Sequence, residues 1–156
     1  LDQLGDLTGD EEHYEKAIEF LFQVHDKQPD AVHVCYQLGL ALSHLGELLG
    51  DAESFQQAIY YLEAAAKADM EDEAIWCELG YAYLNLSELA RDPILPENSE
   101  ELRREAEKKL LRAAQLGSPD ACYHLACLYS LSEMIESSMH YLRKTEMANF
   151  LPPVEE

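Results

Sequence analysis

The chain has 156 residues with 31 acidic and 11 basic side chains, a formal charge of −20. That balance repels nucleic acid and anionic lipid and favours neutral or basic partners. Apolar residues make up 47%, too many for a disordered chain, and no stretch approaches the roughly 20 apolar residues that cross a bilayer.

The opening segment already holds the organising signal. Leu1 to Leu21 set over Leu42 to Leu62, a shift of 41 residues, gives ten identities in 21 positions, among them Leu4/Leu45, Gly9/Gly50, Asp10/Asp51, Ala17/Ala58, Ile18/Ile59 and Leu21/Leu62. An internal repeat decides the architecture before any single residue does. Residues 1–29 read as a first unit, whose second helix carries Ala17, Leu21, Val24 and Pro29. The chain starts at Leu1 in mid-pattern without methionine and reads as a fragment, the first helix of that unit lying mostly before it.

Residues 30–70 form the second unit. Asp30 opens a helix whose Val34, Cys35, Leu38, Leu42, Leu45 and Leu49 recur at three and four residues. Asp51 is the expected cap of its partner helix, in which Ser54 and Phe55 lead into Ala58, Ile59, Leu62, Ala65 and Ala66.

The third unit, 71–118, opens at Asp72 and repeats Gln37 to Ala41 as Glu78 to Ala82. After Asp92 the register slips by seven, so that Ala106, Leu110 and Ala113 answer Ala58, Leu62 and Ala65. Pro93, Ile94, Leu95, Pro96 and Asn98 account for the slip as an exposed loop over 92–98. A fourth unit, 119–150, follows Ser118-Pro119, and 151–156 is a tail.

Neither helix of such a pair can bury its stripe alone, so the pairs must stack. The pattern predicts one all-α domain over 1–150, a right-handed α-solenoid of antiparallel helix pairs in about three and a half units, with the first helices on the concave side.

Trp76, Leu79, Gly80 and Tyr83, followed by Ala106, Leu110 and Ala113, resemble the tetratricopeptide (TPR) signature. Cys35, Leu38, Gly39 and Leu42 repeat it with Ala58, Leu62 and Ala65, and Cys122, Leu125, Ala126 and Tyr129 repeat it with Ser138 and Leu142. Gly39, Gly80 and Ala126 would let the second helix approach closely. The family spacing is about 34 residues, and the excess of seven here, about two turns, predicts helices each about one turn longer. Glu105 to Ala121 with Tyr123 to Ala126 is also similar to the SEL-type repeats, a sister class with the same pairing.

The chemistry-bearing residues have bland readings. Cys35, Cys77, Cys122 and Cys127 form no CxxC pair and align with aromatic positions of sister repeats, so they read as core filler in a reducing cytoplasm. His33 and His44 lie about 16 Å apart along one helix, too far for one metal ion. Asp10 to Glu12 and Glu71 to Glu73 read as helix-start acids, and Arg103, Arg104, Lys108, Lys109 and Arg112 as a locally basic, solvated face with Glu100/Arg104 and Glu105/Lys109 at pairing distance. An acidic-partner patch is the alternative for those cations. No phosphate loop, nucleophile elbow or metal-spaced cluster stands in the sequence. The expectation is a non-enzyme without cofactor or metal.

Helical phase aims His33, Tyr36, Gln37, Leu40 and His44 of the second unit into the concavity. Cys77, Glu78, Tyr81 and Asn85 of the third and Tyr123, His124 and Cys127 of the fourth have the same phase. The resemblance implies that this groove takes a peptide or a helix of a partner protein. None of these positions is basic, which argues against the carboxylate clamp of some relatives. The expected function is an adaptor or scaffold, with a TPR-type secretion chaperone or a structural segment of a longer protein as alternatives. Ile18, Leu21 and Val24 at one end, and Met139, Leu142 and Met147 before Leu151-Pro152-Pro153 at the other, are expected as uncovered apolar stripes prone to self-association.

Overall fold

In the computed structural model, described for residues 2–90, 96–131 and 135–147, the chain rises and falls through seven helices and no strand among those residues. They are α1 (Asp2–Lys27), α2 (Val32–Leu49), α3 (Ala52–Ala68), α4 (Glu73–Leu89), α5 (Pro96–Gln115), α6 (Pro119–Leu131) and α7 (Ile135–Met147). Short turns reverse the chain after α1, α2, α3 and α5. Gly50, in the left-handed region at φ +63°, ends α2, and the Asp51 carboxylate at once caps α3 by accepting from the N–H groups of Glu53 and Ser54. Asp72 caps α4 through the Ala74 N–H at 2.9 Å, and Ser118 Oγ accepts from the Ala121 N–H at 3.2 Å at the start of α6.

Leu38, Phe55, Leu62, Ile75, Leu79, Leu110 and Leu125 are fully buried and form the spine of the array. The close approach expected at the glycines is present. A Cβ on Gly39 would lie 2.4 Å from Leu62 Cγ, and one on Gly80 would lie 2.6 Å from Leu110 Cγ and 3.0 Å from the Leu110 backbone nitrogen. Gly46, unremarked as a contact in the sequence, meets Phe55 in the same way at 2.9 Å.

Every helix packs on the next, and beyond the neighbour only α2 with α4 and α4 with α6 approach at backbone level among the described residues. The first helices therefore crowd to one side, while the backbones of α1, α3 and α5 stand further apart on the other, α1 and α3 meeting through Phe22 and His25 on Tyr61. This is an α-solenoid-like array of helix pairs, and α2 and α4 begin 41 residues apart at Val32 and Glu73. No described helix is long and apolar enough to cross a membrane.

Several expectations need correction. The α2 cap is Ala31, with no side-chain bond, so Asp30 does not cap it. The turn at Gly50-Asp51 has no counterpart at Gly9-Asp10, because α1 runs unbroken from Asp2 to Lys27. In the second unit Gly50 takes the left-handed region and ends α2, whereas Gly9 lies inside the continuous α1. Helix propagation wins there. Asp10 to Glu12 consequently sit in mid-helix.

Ala17 is exposed although its repeat partner Ala58 is buried. Ile18 is buried, and Leu21 and Val24 are half-buried against the same core, so that stripe is covered only in part. At the other end Met139 and Met147 are exposed as expected, and Leu151 to Pro153 lie outside the described residues. Pro96 opens α5 and carries Glu97 and Asn98 into it, which shortens the expected 92–98 loop; residues 91–95 lie outside the described residues.

Candidate binding face

Along the row formed by α2, α4 and α6, side chains build a polar and aromatic face. Tyr81 of α4 and His124 of α6 stack with ring centroids 4.5 Å apart and planes at 30°. Tyr123 meets His124 edge-on, and on the α2 side the His44 ring stacks on Tyr14 of α1 at 5.7 Å. His44 Nδ1 lies 3.7 Å from Glu47 Oε2 one turn on. Asn85 donates to the Tyr81 carbonyl at 3.0 Å, which ties its amide to the helix.

Carboxylates converge on the same place. Burial raises the Glu78 carboxyl above its ordinary range, Glu47 and Asp120 adding to the shift and His44 opposing it. Burial and the neighbouring Glu47 push the Tyr81 hydroxyl up to about 12. Burial holds His124 below the ordinary imidazole value, against the pull of Asp120 and Glu47. Tyr36 is raised by burial and by Glu78 and Asp72. These mutual influences place Tyr36, His44, Glu47, Glu78, Tyr81, Asp120 and His124 within one field across three helices.

The structure thus brings together Tyr36, His44, Glu78, Tyr81, Asn85, Tyr123 and His124 as expected. Leu40 and Cys127 are half-buried on the same helices, and His33 and Gln37 are exposed nearer the start of α2. Cys77 does not belong: its side chain is buried in the core with Ala106, Leu110 and Leu125, and burial pushes its thiol up to about 12. Cys35 and Cys122 are buried as well, and all four cysteines are free.

Glu47, Asp120 and Tyr14 belong to the face and were not anticipated. Glu47 follows Leu40 and His44 at helical spacing and Asp120 precedes Tyr123 and His124 in the same way, so phase alone could have found them. Tyr14 depends on how α1 lies.

The basic stretch of α5 is paired largely within the chain. Arg103 reaches Glu88 at 3.3 Å and Arg112 reaches Glu71 at 3.2 Å, while Lys109 lies 3.9 Å from Glu105 and over the Trp76 ring at 5.6 Å. Among the described residues no three His, Cys, Asp or Glu side chains are grouped closely enough to hold a metal ion.

Fold and face together define a class, an all-α helical repeat protein with an acidic, aromatic inner face. No protein-family model matches the chain, and no curated protein sequence matches it.

Proposed function

We propose that this chain is a non-catalytic, tetratricopeptide-type interaction module that binds a neutral to basic peptide segment or helix of a partner protein on the face of α2, α4 and α6. One observation carries the reading: Tyr36, Tyr81 and His124 share that face with Glu47, Glu78 and Asp120, and no lysine or arginine stands among its residues. Aromatic rings supply contact area at low entropic cost, and carboxylates flanking them reward a cationic side chain and repel an acidic one.

The test is an array of immobilised peptides of graded net charge, probed with the parent chain and with Tyr81→Ala. Binding confined to neutral and basic peptides, and weakened by the substitution without loss of helicity, supports the reading. Binding of acidic peptides, or equal binding by both proteins, contradicts it.

A further inference from the structure

On the opposite side of the array the splaying of α1 and α3 opens a cleft of about 670 Å³, floored by α2. Ile18 and Phe22 of α1 and Leu42, Leu45 and Leu49 of α2 line it. A second cleft of about 480 Å³ lies between α3 and α5 over α4. The two are repeat equivalents. Leu42, Leu45 and Leu49 of the first stand 41 residues before Tyr83, Leu86 and Ala90 of the second, and Glu53, Ser54 and Gln57 stand 48 residues before Glu101, Leu102 and Glu105. The same repeat that builds the core also builds these clefts.

The rims differ. Glu105 of the second cleft is engaged by Lys108 and Lys109. The first cleft carries Glu15, Glu19, Asp26 and Glu53 on its edges, all exposed, none ion-paired with a described residue, and no basic side chain lines it. An apolar floor between acidic walls is complementary to an apolar stripe flanked by cations. Both walls are helices, so an extended peptide would find no strand edge to satisfy its backbone, whereas a helix satisfies its own.

We infer that the cleft between α1 and α3 is a second docking surface, distinct from the inner face, and that its occupant is a basic amphipathic helix of a partner protein. The apolar side chains of that helix, spaced at three and four residues, seat on Phe22 and Leu49, and its lysines or arginines reach Glu15, Glu19 and Glu53.

The probe is a synthetic amphipathic helix with leucine on one face and lysine on the other, alongside a sister peptide with glutamate in place of lysine, titrated by fluorescence anisotropy. The parent chain should bind the lysine peptide at least tenfold more tightly than the glutamate peptide, and so should Tyr81→Ala. Leu49→Lys places a cation at an already exposed position and should weaken binding at least tenfold, as should the pair Glu15→Lys and Glu19→Lys, with circular dichroism unchanged. In the Tyr81→Ala background, where the inner face is weakened, the same losses should appear. Loss of binding in Tyr81→Ala but not in Leu49→Lys would overturn the inference and move the peptide to the inner face. Equal binding of the two peptides would overturn it too, as would light scattering that showed Leu49→Lys dissolving a dimer, since the cleft would then be filled by a second copy.

Discussion

His124 of α6 lies stacked on Tyr81 of α4, with 4.5 Å between ring centroids, and this contact joins two repeats across the inner face. Its energetics depend on the protonation of His124. Burial depresses the folded-state pKa of that ring below its ordinary 6.5, so its stabilising contribution is complete above that value and is lost as pH falls through the folded value. Thermal unfolding followed from pH 7.5 to 5 should show His124→Phe losing less stability on acidification than the parent. Glu78 has the opposite sign. Its pKa is raised, so its ionisation on the rising limb is a cost, and Glu78→Gln should raise the melting temperature at neutral pH.

The glycines at the helix contacts should rank by what surrounds them. A methyl on Gly39 meets the Leu62 side chain, which can move, whereas one on Gly80 also meets the Leu110 backbone nitrogen at 3.0 Å. Gly80→Ala should therefore cost more than Gly39→Ala, and Gly80→Leu should cost about 1–3 kcal/mol or more. For a chain of this size that is about 2–4 °C in melting temperature per kcal/mol. Gly50→Ala, with nothing within 4 Å but φ at +63°, should cost roughly 1–2 kcal/mol from backbone strain alone.

The caps give a paired comparison. Asp51→Ala removes three hydrogen bonds, from the N–H groups of Glu53 and Ser54 and from the Ser54 hydroxyl, and should lower the melting temperature measurably. Asp30→Ala should not, because α2 is capped at Ala31 without a side-chain bond.

Thiol chemistry reads the core directly. Burial pushes the thiols of Cys77, Cys35 and Cys122 up, that of Cys77 to about 12, and keeps all three from the reactive thiolate form. Iodoacetamide at pH 8 should modify half-exposed Cys127 first, with mass-mapped labelling of Cys77 appearing only under denaturant.

Much of this was legible in the residues, for physical reasons. The 41-residue period placed α2, α3 and α4, and the need for small residues at crossing helices picked out Gly39 and Gly80. What failed was local analogy. Gly9-Asp10 and Gly50-Asp51 carry the same letters, yet only the second pair turns, so the dipeptide alone does not decide the break. Cys77 shares helical phase with the inner face but is drawn into the core between α4 and α6, a packing decision that phase on one helix does not contain. Glu47 and Asp120 were within reach of phase, and the cleft between α1 and α3 was not, since it arises from how far apart the second helices splay.

The measurement that bears most directly on the inner face as the recognition surface is an amide and side-chain NMR footprint of the strongest peptide from the graded-charge array. Shifts centred on Tyr36, Glu78, Tyr81 and His124, abolished by Tyr81→Ala, are the predicted result. A footprint confined to α3 and α5 that left those four residues unmoved would contradict it.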